Sequence, residues 1–134
     1  ARAADVSAGV VKTMLNKGLQ PGTARILVLG LTFKENCPDV RNTKVVDIVA
    51  ELSSWGGKVD VHDPWVDPAE VKAEYGIDLV AAPEKGAYDA IIVAVGHEQF
   101  KALGADGIRA FGKDNAVLYD VKYVLDADEV DDRL

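Results

Sequence analysis

Between Ile26 and Leu31 the run "RILVLGL" (25–31) carries no polar side chain, and "DAIIVAV" (89–95) repeats the pattern after its aspartate. A strand with one wet face alternates apolar and polar residues. A run of strand length that is apolar throughout has both faces covered. Such strands belong inside a parallel sheet, where the connections between neighbours lay helices over both faces.

The segments between these runs read as those helices. Val6, Val10, Val11, Met14 and Leu15 form one stripe over 4–18, with Gly18 in the position of a C-terminal cap. Val45, Ile48, Val49, Leu52 and Trp55 recur at helical spacing, with Asn42 or Thr43 placed to cap the start and Gly56-Gly57 the end. "KVDVHD" (58–63) is a second strand. In "DPAEVKAEYG", Asp67 is the N-cap, Pro68 the first helical residue and Gly76 the stop. "IDLV" (77–80) reads as a short strand, 97–111 as a helical region broken by Gly104 and Gly107, and "AVLYDV" (116–121) as the last strand. The acidic tail "LDADEVDDRL" reads as a solvated surface segment. The expected fold is α/β: a Rossmann-like doubly wound parallel sheet of five to six strands, helices on both faces, preceded by an N-terminal helix.

At 134 residues the chain is of single-domain size. Its net charge of −7 disfavours nucleic acid, whose affinity comes largely from neutralising phosphates with Lys and Arg. A small anion stays open, because a few local cations dominate a pocket. Cys37, the only cysteine, leaves no internal disulfide and fits a reducing, cytoplasmic setting. The longest apolar runs fall short of a membrane span, and the first residues lack the basic-then-apolar layout of a signal peptide. The chain starts without Met and directly in a helical pattern, so a piece of a longer protein is expected.

In doubly wound sheets ligands sit beyond the carboxyl ends of the strands, where the strand order reverses. Strand one leaves by the long stretch "GLTFKENCPDVRN" (30–42), which feeds a helix N-terminus, a position suited to anions. A loop of this length in a compact domain is functional or disordered. Lys34 and Arg41 are its cations, and they stand beside Glu35 and Asp39, with which they pair if the loop is only a solvated surface. Lys122 follows "LYDV" directly and is expected at the same sheet edge as Lys34, a pairing that suits a phosphate or diphosphate. Asp63 closes strand two, where dinucleotide folds keep a ribose carboxylate. Yet no G-x-G-x-x-G follows strand one, Asp63 lies farther from Gly30 than the usual spacing, and an aspartate before a proline is more often a turn residue. Cys37 lacks a neighbouring His in sequence, and no CxxC, HExxH or GxSxG pattern is present. A receiver domain shares the architecture and the lysine after the last strand, but it needs carboxylates after strand one, where this chain reads "LGLT".

"VLGLTFKENCPDVRNTKVVDIVAEL", followed in order by "VDVHDPWVD", "YDAIIVAVGHEQF" and "LYDVKYVL", closely resembles the C-terminal domain of the UDP-glucose/GDP-mannose dehydrogenase family. The loop wording is most similar to the branch acting on UDP-N-acetylhexosamines for bacterial surface polysaccharides. The resemblance implies a two-fold NAD-dependent oxidation of a sugar C6 alcohol to a carboxylate, through a thiohemiacetal on a cysteine. That cysteine and the glycine motif belong to an N-terminal domain outside this chain, so Cys37 is not the nucleophile. The resemblance further implies that Phe33, Lys34 and Lys122 contact the UDP-sugar and that Arg41 faces the NAD side of the cleft. At 122 many relatives carry arginine, so the bidentate fork is lost here. Residues 1–20 resemble the end of the central helical region through which family dimers associate, and 21–134 the UDP-sugar-binding domain. A stand-alone nucleotide-binding module and a purely structural assembly domain are the competing readings.

Overall fold

The computed structural model describes residues 2–134. Helix α1 (Arg2–Asn16) leads through a short 3-10 turn to β1 (Arg25–Leu29), followed by α2 (Val45–Ser53), β2 (Lys58–His62) and α3 (Pro68–Tyr75). Then come β3 (Tyr88–Val93), α4 (Glu98–Arg109), β4 (Gly112–Asp120), a second 3-10 turn at Ala127–Glu129 and β5 (Asp132–Arg133). All five strands are parallel, in the order β2-β1-β3-β4-β5. The order reverses between β1 and β3, which places the ligand-accepting crevice outside their carboxyl ends.

The uninterrupted apolar runs explain the two layers. Ile26 and Val28 of β1 join Val6, Val10 and Met14 of α1 and Ile48 and Leu52 of α2 in one core. Leu27 and Leu29 point the other way, into a second core with Phe100, Ala105 and Ile108 of α4. Helix α3 forms as its sequence dictates: Asp67 Oδ1 accepts from Ala69 N at 3.0 Å, Pro68 opens the first turn, and Gly76 closes it in the left-handed region at φ 68°. Of the two candidate caps of α2, Thr43 fills the role. Its Oγ1 accepts from Val45 N at 3.1 Å and donates to Leu31 O at 2.6 Å, clamping the helix start to the end of β1.

Three expectations are corrected. Residues 77–80 make one bridge, Val61 to Leu79, rather than a strand, because the chain bends away at 81 before a second pair can form. Gly104 breaks the α4 helix as expected (φ 65°, ψ 179°), whereas Gly107 lies within it. The acidic tail is exposed along most of its length, as expected, but it also docks. It adds β5 to the sheet edge, with Tyr119 opposite Asp132, and Leu125 is buried against the α4 layer. Asp131 holds it there, accepting from Leu118 N at 2.7 Å and pairing with Lys17 at 2.9 Å and Arg109 at 3.3 Å. No described helix is long and apolar enough to cross a membrane.

Candidate functional site

Beyond the carboxyl ends of β1, β3 and β4, a cavity of about 160 Å³ opens between the starts of α1 and α2. Val45, Ile48, Val95 and Val121 supply apolar walls, and Phe33 and two lysines, Lys44 and Lys122, complete the lining. An apolar hollow with a few polar groups at its rim is what a base-and-phosphate ligand requires. Phe33 is 58% exposed, so its ring is accessible at the rim of the cavity.

The structure thus brings Phe33 and Lys122 to one cavity. Lys34 lies next to Phe33 but outside the lining, exposed, and it makes no ion pair among the described residues. Arg41 lies outside it too, 82% exposed, with Nε 3.1 Å and Nη2 3.2 Å from the two oxygens of Asp39. That fork holds the Asp39 carboxyl below its usual range and raises the guanidinium. Lys44 is an addition that sequence reading passed over. It precedes an apolar helix stripe as an ordinary surface lysine does, and only the cavity shows its neighbours.

Each loop at this edge is shaped by a buried aspartate. Asp120, fully buried at the end of β4, accepts from Lys122 N at 3.1 Å and Leu125 N at 2.8 Å. With Tyr123 in the left-handed region (φ 57°), this turns the chain so that Lys122 meets the cavity. Asp63 Oδ2 accepts from Leu31 N at 2.6 Å, Thr32 N at 3.2 Å and His97 Nε2 at 2.9 Å, and Oδ1 accepts from Trp65 N at 2.8 Å. Burial pushes this carboxyl up, but the His97 contact and the backbone donors outweigh it and hold the group below its usual value.

Those bonds decide whether the chain suits a dinucleotide. Asp63 occupies the ribose position of such folds, yet both its oxygens are engaged inside the protein, and Gly30 is followed by no glycine turn for a pyrophosphate. The residues present therefore do not fit an NAD site of their own. The two histidines are engaged as well: His62 Nδ1 donates to Val80 O at 2.8 Å, and His97 sits between Asp63 and the 32–42 loop. Neither is arranged to activate half-buried Cys37. No group of three or more His, Cys, Asp or Glu side chains among the described residues is placed to hold a metal ion.

The sequence profile of the UDP-glucose/GDP-mannose dehydrogenase family, UDP binding domain, matches residues 27–127. The chain is 55% identical over 129 residues to a UDP-N-acetyl-D-glucosamine 6-dehydrogenase of Salmonella typhi, covering 96% of this chain and 30% of that protein. It is 56% identical over 125 residues to a protein of the same name from Pseudomonas aeruginosa, covering 93% and 30%. Among solved structures, an NDP-N-acetyl-D-galactosaminuronic acid dehydrogenase from Methanosarcina mazei Go1 superposes with a TM-score of 0.82 at 27% identity, over 95% of this chain and 26% of that one. The chain therefore spans just under a third of the length of the curated relatives it matches.

Proposed function

Since the chain belongs to the UDP-glucose/GDP-mannose dehydrogenase family, as its UDP binding domain, we propose that it is the C-terminal, substrate-holding part of an NAD-dependent UDP-N-acetylhexosamine 6-dehydrogenase. In this reading it works in the cytoplasm, in the synthesis of bacterial surface polysaccharide. The observation that carries the reading is the convergence of Phe33, Lys44 and Lys122 on one apolar-walled cavity at the carboxyl ends of the strands.

The residues divide the work by chemistry. Phe33 offers an exposed ring face to the ligand, and Lys122 supplies a charge-assisted contact to the diphosphate. Lys34, on the same loop, contacts the diphosphate or sugar from outside the hollow. NAD supplies hydride acceptance when bound, and it is held by an N-terminal domain lying outside this chain. Arg41 faces that side of the cleft, where it must exchange its Asp39 fork for a ligand or keep it as a brace. Helix α1 is the end of the segment through which full-length chains pair as homodimers. Its inner stripe is already buried in the first core, while Leu15 on the outside remains 55% exposed.

Titrating UDP into the chain by calorimetry tests the reading. We expect weak binding that falls roughly five- to thirtyfold in Lys122→Ala and in Lys34→Ala, about 1–2 kcal/mol for an exposed charged hydrogen bond. Unchanged affinity in both variants removes the assignment of these lysines.

A further inference from the structure

His97 has no exposed side-chain surface, and every polar contact of its ring runs to a segment that carries the candidate site or supports it. Its Nδ1 lies 2.9 Å from the backbone nitrogen of Asn36, which donates to it. A ring nitrogen that accepts a hydrogen bond carries no proton, so the proton of a neutral imidazole is on Nε2. Nε2 is 2.9 Å from Asp63 Oδ2 and 3.2 Å from Thr32 Oγ1. The Thr32 hydroxyl gives its own hydrogen to Lys34 O at 2.8 Å, which leaves a lone pair toward the ring. Every donor in this set faces an acceptor in one protonation state only. An imidazolium, or the other tautomer, sets a ring N–H against the Asn36 N–H.

The set joins three pieces of chain. Asp63 directly follows β2 and also binds the first two amides beyond Gly30. Asn36 returns the contact to α4: its Oδ1 accepts from Glu98 N at 2.8 Å, capping a helix whose own N-cap, His97, makes no side-chain cap. Asn36 holds φ 54°, a conformation for which asparagine is well suited and which needs fixing from outside. Phe33 and Lys34 therefore stand on a span pinned at Thr32 on one side and Asn36 on the other, both by one imidazole.

We propose that His97, as the neutral Nε2–H tautomer, is a positioning residue that latches the 32–36 segment to α4 and so sets the direction of Phe33 and Lys34. Its importance for ligand binding rests on the proposed function, but the latch itself is measurable in the ligand-free chain. Long-range ¹H–¹⁵N correlation of the imidazoles in the wild-type chain near neutral pH is expected to show His97 protonated on Nε2 and bare on Nδ1. An imidazolium or an Nδ1–H tautomer overturns the proposal. His97→Gln keeps an Nε2 donor for Asp63 and has no acceptor atom at the position of Nδ1, which faces Asn36 N. In that variant the Asn36 amide should exchange with solvent at least tenfold faster, with the β1 and β3 amides changed less than twofold. Unchanged exchange at Asn36, or an equal rise through β1 and β3, overturns the proposal as well. UDP titration of the same pair separates the two readings. Failure of the wild type to bind UDP sinks the binding assignment, while the tautomer and exchange results still judge the latch. Binding that is equally tight in both chains shows that the latch does not set the ligand-contacting residues.

Discussion

Lys122 lines the cavity, and its backbone is placed there by Asp120, which folds the turn behind it. A lysine there is a point charge, whereas a guanidinium offers two parallel donors to one phosphate. Lys122→Arg is accordingly expected to tighten UDP binding about three- to tenfold, read by calorimetry, with unfolding unchanged because the residue is exposed. Lys44→Ala should weaken it by about 1 kcal/mol, roughly fivefold. A null effect there means that Lys44 merely borders the hollow. Beneath the loop, Gly30 sits at φ 99°, and a Cβ built on it falls 2.6 Å from Val95 Cβ and 2.9 Å from Val95 N. Val95 is itself buried at the cavity wall, so neither backbone has room to yield. Gly30→Ala should cost more than about 2 kcal/mol in urea denaturation, from strained backbone and overpacking together. Residues of this kind differ in how far a sequence announces them. Lys122 follows a strand run directly, so its strand-end position is legible from the pattern, whereas Phe33 lies farther along its loop and is marked only by the family resemblance. Asn36 and His97 are not legible together. The imidazole's partners lie 34, 61 and 65 residues away, and only strand order brings them into contact.

Elements were readable to the extent that their signals are local. The stripe of α1, the Asp67-Pro68 start of α3 and the double-buried runs of β1 and β3 are each written in a few neighbouring residues, and each stands where its pattern puts it. The C-terminal segment is the opposite case. "LDADEVDDRL" scores as solvated because five of its ten residues are acidic, yet Leu125 and Val130 pack on the α4 layer and Asp131 has three partners elsewhere in the chain. Burial pushes the Asp131 carboxyl up, and the Leu118 amide and Lys17 more than reverse it, leaving it below the usual carboxylate value. Asp63 is lowered in the same direction. Carboxyls whose native pKa lies below the unfolded value stabilise the fold in full above that value, near 4, and lose the contribution as pH falls through the native one. Urea midpoints should therefore hold steady between about pH 7 and 5 and drop below about pH 4. Asp131→Ala should flatten part of that drop. It should also lower stability by about 1–3 kcal/mol, by leaving the Leu118 amide without its acceptor. Limited proteolysis locates the effect: new cleavage is expected within 121–134, ahead of any cut in β1 or β3. Cleavage spread evenly over the sheet would mean that the tail is not a separate unit of stability.

At the scale of the molecule, the sheet has the architecture of a dinucleotide domain and lacks its chemistry. The crevice lies where the strand order reverses, as in any doubly wound fold, and the sequence pattern was enough to foresee that. What occupies the crevice depends on the loops. Here the first loop has no glycine turn against which a pyrophosphate could lie, and the carboxylate after β2 binds Leu31, Thr32, Trp65 and His97 instead of a ribose. The fold has thus been turned to holding loops in place, with the cations displayed around a hollow of about 160 Å³. On the proposed reading this hollow would take one part of a nucleotide sugar, in keeping with a chain that covers 30% of its relatives' length. Oxidation at C6 needs a hydride acceptor beside the sugar and a nucleophile to hold the aldehyde-level intermediate. Among the described residues both oxygens of Asp63 are engaged inside the protein and both histidine rings are held by other partners than Cys37, so we expect neither from this chain alone. With UDP-N-acetylglucosamine and NAD supplied together, absorbance at the wavelength of NADH is expected to stay flat for this chain, while UDP still binds. Turnover by the isolated chain would mean that Asp63 can leave its internal partners for a ribose, and the account of this edge as half of a divided substrate site would have to be abandoned.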